Sequence, residues 1–253
     1  MVIKISDIFS VKEKVIIITG GGKGIGYFLA SEFSKRSAIV HVVDKMSTKN
    51  LTKDFSIHKC DVTNKIEFKK ICKLILSKNK KIDVLINNAG ITFPNTSSNN
   101  YPLKNWKKTL DVNLTGPFVC SQIIGNIMKK QNSGSIINIT SINAELGFPN
   151  NPAYVASKGG LKMLSKSLAK DLGKYGIRVN SIGPGYFVTD MTKKSFQNKK
   201  TRLIRQRHTL LGRWGNISEL LGPCIFLSSD SSSYVTGQDL YVDGGWTSNG
   251  LIE

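Results

Sequence analysis

The sequence predicts an α/β chain, a single domain over 1–253 built on one doubly wound parallel sheet of about seven strands with helices on both faces. Three observations predict it. Short apolar runs alternate with helical periods almost from end to end, the pattern of parallel βαβ units covered on both sides. The first apolar run passes directly into a glycine-rich turn that opens a helix. No linker-like composition and no internal repeat divides the chain.

Each element follows in order. KVIIITG at 14–20 is a continuous β-branched run and reads as a buried strand. GIGYFLASEFSKRS at 24–37 reads as a helix, and AIVHVVD at 38–44 as a second strand ending on Asp44. FSIHKCD at 55–61 is a third strand, followed by a Lys-rich helix from about Ile66 to Ser77. IDVLINNAG at 82–90 is the fourth strand. One helix is expected from about Pro102 to Lys130, then GSIINITS at 134–141 as the fifth strand. A long helix begins behind Pro152 and runs to about 175, and IRVNSIGPG at 177–185 is the sixth strand. SELLGPCIFLSSD at 218–230 reads as a helix and DLYVDGG at 239–245 as a short last strand.

Composition narrows the function. An apolar share of 40% suffices for a large core, and no apolar run approaches the ~18 residues of a membrane span. The start, MVIKISDIFSVKEK, has no apolar leader core and no small-residue cleavage site, so a cytoplasmic protein is expected. Cys60, Cys72, Cys120 and Cys224 are scattered, as small buried residues in a reducing compartment would be. With His41, His58 and His208 they form no ligand spacing, so no metal is expected. The net charge of +19 admits a nucleic-acid or acidic partner. The lysines are spread along the chain and RNA-binding aromatic signatures are absent, which favours a solvated surface.

Two local patterns carry chemistry. In TGGGKGIG at 19–26, glycines between a strand and a helix let the backbone approach a pyrophosphate, while the helix N-terminus supplies free N–H groups. Asp44 ends the next strand, where a carboxylate can accept from ribose hydroxyls. The spacing is G-x-x-x-G-x-G, not the G-x-G-x-x-G of the usual dinucleotide fingerprint. The second pattern is Tyr154 four residues before Lys158, on one face of a helix. Alone, that pair is better explained by an amphipathic helix, since Tyr and Lys recur at this spacing by chance.

Together with NNAG at 87–90, these motifs resemble the short-chain dehydrogenase/reductase superfamily, a Rossmann-type fold. The resemblance runs through CDVT, DVNLTG, INITS, YVASK, NSIGPG, SYVTGQ and VDGG, nearly the whole chain. SINAELG, SKGGLKMLSKSL, PGYFVTDMT and GRWGNISEL are most similar to the gluconate 5-dehydrogenase-like branch. NNAGIT and the general plan are also similar to 3-oxoacyl-[acyl-carrier-protein] reductases, which stay as the second reading. A third, of another class, is a non-catalytic dinucleotide sensor or nucleic-acid binder. The joint presence of Asn113, Ser141, Tyr154 and Lys158 argues against it.

The resemblance implies NAD(P)-dependent interconversion of a secondary alcohol and a ketone by hydride transfer. It gives Tyr154 the acid/base role, Ser141 the substrate oxygen, Lys158 the nicotinamide ribose and the tuning of Tyr154, and Asn113 a bend in its helix and a proton relay through water. A lysine charge ~5 Å away at an effective dielectric of ~20 is worth roughly 3 kcal/mol, which would lower the phenol by about two pKa units. Gly20, Lys23, Gly24, Ile25 and Gly26 would hold the pyrophosphate, and Asp61 and Val62 would meet the adenine. Asn88, Ala89 and Gly90 would lie under the cofactor, with Asn87 tying strands; Pro184, Gly185 and Thr189 would meet the carboxamide. Asp44 favours NAD by repelling a 2′-phosphate, whereas Lys23 and Lys45 keep NADP in play. Glu145 reads equally as a contact to a substrate hydroxyl or as loop rim.

Relatives carry a substrate lid at about 187–211. From Lys193 to His208 the chain has seven Lys and Arg and no acid, which suits an anionic small-molecule substrate such as a sugar acid. The family also implies a homotetramer through the helices at 102–130 and 152–175, with Phe118, Val119, Leu161, Met163 and Leu164 as candidate contacts.

Overall fold

The β-branched runs form the sheet and their helices cover it. The structure, a computed structural model, describes residues 7–46 and 54–250. The start of the N-terminal stretch read for a leader lies outside them. The strands are β1 Val15–Thr19, β2 Ile39–Asp44, β3 Ser56–Lys59, β4 Val84–Asn87, β5 Gly134–Ile139, β6 Ile177–Pro184 and β7 Asp239–Val242. They make one seven-stranded sheet in the order β3-β2-β1-β4-β5-β6-β7, every pairing parallel.

Parallel strands need helical crossovers, so both faces are buried. β1 shows this residue by residue. Val15 and Ile17 face a cluster with Phe68, Cys72, Ile124, Met128 and Leu172; Ile16 and Ile18 face another with Leu29, Phe33, Leu220 and Cys224. The first cluster is roofed by α2 Lys65–Asn79, α4 Gly116–Gln131 and α5 Pro152–Leu172, the second by α1 Gly24–Lys35 and α8 Leu221–Ser228. Strand order reverses at β1, whose neighbours are β2 and β4, and the crevice beyond their C-terminal ends is where such sheets bind ligands.

Several elements differ from the sequence expectation. The single helix over 102–130 is three pieces: α3 Leu103–Leu110, a π turn Asp111–Thr115, and α4. Asn113 sits in the π turn, fully buried. β4 stops at Asn87 because Asn88 turns aside to bond the glycine loop. β7 ends at Val242 because Gly244 and Gly245 take φ of +66° and +83°, leaving the extended region. The stretch at 218–230 opens with a 3₁₀ turn, Ile217–Leu220, capped by Asn216 and Glu219 in a reciprocal capping box, before α8. The stretch expected to form a lid folds as two short helices, α6 Lys193–Gln197 and α7 Lys199–His208, with Asn198 capping the second. Among the described residues no helix is long and apolar enough to cross a membrane.

Candidate active site

The glycine loop is held from two sides. Asn88 donates its Nδ2 to the carbonyls of Thr19 at 3.0 Å and Gly20 at 2.8 Å, while Thr19 Oγ1 accepts from the Asn88 and Ala89 N–H groups. A Cβ on Gly26 would lie 2.4 Å from Asn88 Nδ2 and 2.5 Å from the Gly20 carbonyl oxygen, so only glycine lets α1 start so close to β4. Gly24 has φ +57° with open space beside it. No side chain caps the N-terminus of α1, so its first N–H groups point into the crevice without a side-chain acceptor. The cradle fits a pyrophosphate. Ile25 is half-buried behind it and Lys23 is exposed at its edge.

Both carboxylate oxygens of Asp44 are engaged by backbone. Its Oδ2 accepts from Gly22 N–H at 2.9 Å and its Oδ1 from Met46 N–H at 2.9 Å. The carboxylate clasps the loop to the end of β2. Asp61 accepts from the N–H and hydroxyl of Thr63. Those bonds, with Lys108, hold its carboxyl below the ordinary range although burial opposes them. Val62 is buried, and its methyl would meet a Cβ on Gly116 at 2.8 Å. Its side chain packs the exit of the π turn.

Ser141, Tyr154 and Lys158 converge beyond β5. Ser141 follows the strand and is buried, its hydroxyl paired with Asn143. Lys158 is 4% exposed; its Nζ donates to the Ile139 carbonyl at 2.7 Å and lies 5.7 Å from the Tyr154 ring centroid. A Cβ on Gly90 would sit 3.6 Å from Asn113 Oδ1 and 3.7 Å from Lys158 Nζ, so all three meet at one point. Asn113 is a clamp: Oδ1 accepts from Ile91 N–H, and Nδ2 donates to the Ile91 carbonyl and to Ser157 Oγ. Asn87 ties strands and helix as expected, donating to Asn138 Oδ1 and Ser121 Oγ.

The electrostatics depart from the expectation that the ammonium lowers the phenol. Burial pushes Tyr154 up to about 12; Ser141 pulls it the other way and the phenol of Tyr186 adds to the rise. Burial brings Lys158 down to about 8. The ~3 kcal/mol attraction assumed two charged partners, whereas burial here disfavours charge on both. At neutral pH the phenol keeps its proton.

Pro184 ends β6, and Gly185 passes so near Asp243 that a Cβ would lie 2.7 Å from its Cα. Thr189 bonds Thr192 and lines a cleft of about 540 Å³ with Gly24, Asp190, Lys193 and Phe196, so the glycine loop faces the start of α6 across it. Glu145 belongs to a cluster with Lys162 and the Tyr241 hydroxyl, alongside Lys166 and Asp239. Sequence reasoning missed an aromatic wall: Tyr186 packs on Trp214 and Trp246, and Phe148 on Trp246. Only the position of Tyr186 directly after Pro184 and Gly185 hinted at it. Among the described residues no cluster of metal ligands forms.

The chain is similar to known proteins over nearly its whole length. A family model described as enoyl-(acyl carrier protein) reductase matches residues 20–247. The chain is 35% identical to 5-keto-D-gluconate 5-reductase of Escherichia coli, over 95% of this chain and 98% of that protein. It is 34% identical to a 3-oxoacyl-[acyl-carrier-protein] reductase of Staphylococcus epidermidis, over 92% and 98%. A gluconate 5-dehydrogenase from Burkholderia cenocepacia, solved with NADP and tartrate, superposes with a TM-score of 0.91 at 33% identity, over 96% of this chain and 98% of that one. With the cradle, the strand order and these relatives together, the chain belongs to the short-chain dehydrogenase/reductase family.

Proposed function

We propose that this chain interconverts a keto sugar acid and its secondary alcohol with NAD(P), as a gluconate 5-dehydrogenase-like enzyme in one domain with a lid at 187–211. The observation that carries the reading is the meeting of Ser141, Tyr154 and Lys158 beside the glycine cradle. The bound nicotinamide supplies or takes the hydride. Tyr154, protonated at neutral pH, gives its proton to the oxygen that becomes the alcohol. Ser141 donates a hydrogen bond to the same oxygen and orients it. Lys158 would reach the ribose, and Asn113 keeps the segment beside it rigid.

Asp44 supports NAD, since its carboxylate repels a 2′-phosphate. Exposed Lys23 and Lys45 support NADP as the second cofactor. A cytoplasmic homotetramer is part of the reading. Free, buried cysteines favour a reducing compartment, and exposed Phe118 (42%) and Met163 (62%) favour packing of α4 and α5 against mates. Val119 and Leu161, once candidates for that contact, are core residues of the subunit itself. Following NADH and NADPH absorbance with 5-keto-D-gluconate, and with a 3-oxoacyl thioester, tests the function. Turnover of the thioester alone would transfer the assignment to the acyl-carrier-protein reductases.

A further inference from the structure

The seven basic side chains of the lid do not share one environment. Lys193, Lys194, Lys199, Lys200 and Arg207 are exposed, whereas Arg202 and Arg205 are half-buried. Arg202 lies 5.4 Å from the Phe196 centroid, and its backbone carbonyl accepts from the Trp214 indole N–H. Arg205 is set more tightly, with Cζ 4.1 Å from the Tyr186 centroid and 5.6 Å from that of Trp214. Neither arginine has a carboxylate within ion-pair distance among the described residues.

Tyr186 links this arginine to the chemistry. Its phenol is felt by Tyr154 on one side and by the Arg205 guanidinium on the other. A guanidinium resting on a ring gives up hydration on one flat face, while the N–H donors around its edge that the Tyr186 hydroxyl does not take stay available. Those donors match a carboxylate in two parallel hydrogen bonds. The aromatic neighbours also reduce the water that would weaken such a pair. A lysine on the exposed rim has none of these advantages.

We propose that Arg205, held on Tyr186 and Trp214, is the subsite for the substrate's carboxylate, while the five exposed basic residues only attract anions from a distance. The chemical class of ligand rests on the sugar-acid reading above; the placement of the subsite does not.

The test therefore separates binding from turnover. Binding of D-gluconate and of D-gluconamide to the enzyme saturated with cofactor is read by fluorescence of Trp214 and Trp246, in the parent, Arg205→Gln, Arg205→Lys and Lys200→Gln. Arg205→Gln should weaken gluconate at least tenfold more than gluconamide. Arg205→Lys should recover part of that loss, and Lys200→Gln should shift gluconate no more than threefold. Preserved cofactor affinity and melting temperature in the variants guard against misfolding. If Arg205→Gln weakens acid and amide alike, or if the parent binds them equally, the subsite is wrong. Turnover of 5-keto-D-gluconate is then measured separately. Carboxylate binding that depends on Arg205 without turnover would overturn the proposed reaction and leave the subsite standing. Turnover with no dependence on Arg205 would do the reverse.

Discussion

Lys158→Met should make the protein more stable while removing its activity, and the gain should depend on pH in a defined way. The lysine is almost fully buried, its one hydrogen-bond acceptor is the Ile139 carbonyl, and no carboxylate pairs with it among the described residues. Burial takes its pKa from an ordinary 10.5 down to about 8. That fall corresponds to about 3 kcal/mol by which the charged lysine opposes folding. The sign follows from proton counts. Between pH 8 and 10.5 the unfolded lysine is still protonated and the folded one is not, so this group's penalty is full below about pH 8 and fades as pH rises. Met fills a similar volume without charge but leaves the Ile139 carbonyl unpartnered, at about 1 kcal/mol at any pH. The variant should then exceed the parent by about 2 kcal/mol near pH 6.5, and lose most or all of that advantage by pH 10. The buried thiols of Cys60, Cys72 and Cys224, raised to about 12, act oppositely above pH 8.5, but both proteins share them and the difference cancels. Urea unfolding at four pH values between 6.5 and 10, followed by tryptophan fluorescence, measures the gap. A variant less stable than the parent at pH 6.5, or a gap that does not change with pH, refutes the account of Lys158.

Tyr154→Phe should lower turnover by at least a thousandfold and leave cofactor affinity within threefold, read by nucleotide fluorescence, because the ring packing remains and only the proton carrier goes. Since the phenol lies near 12, the rate of alcohol oxidation should climb steadily from pH 7 to 10, whereas reduction should not gain; a plateau reached by pH 7 would show the phenol to be far more acidic. Asp44→Asn should raise the ratio of NADPH to NADH efficiency at least tenfold by removing the repulsive charge. Asp44→Ala should in addition weaken both cofactors, because the clasp on Gly22 and Met46 is lost. Met163→Glu should shift the light-scattering mass of the assembly downward if α5 packs against a mate, and leave it unchanged if it does not.

What could be read from the sequence followed from short-range rules. β1, β4 and β5 are buried on both faces, so their Val and Ile runs mark them whatever surrounds them. The cradle was legible because glycine is the one residue that permits Gly26 so close to Asn88. The π turn was not, beyond the bend that the resemblance implies at Asn113, because a one-residue excess leaves the apolar spacing of each flanking helix intact. Nor was the protonation of Tyr154: spacing gives the distance to Lys158 but not how much water surrounds the pair. Glu145 stayed ambiguous for the same reason, since its partners Lys162 and Tyr241 come from a distant helix and strand. Arg205 was one of seven equal charges until Tyr186 and Trp214, from two other segments, singled it out.

The π turn also sets the angular bookkeeping of the long helical segment. Each residue of an α-helix advances the outward direction by 100°. The wide turn absorbs one such step, so α3 can turn Thr109 inward while α4 turns Gly116, Cys120 and Ile124 inward, without a common phase. Asn113 occupies the slack between the two. A chain shorter by one residue here would wind as a regular helix and satisfy every local hydrogen bond. Its second half would then present a different face to the sheet, and no carboxamide would stand beside Gly90 and Lys158. Local regularity and the shape of the crevice are competing solutions in this segment.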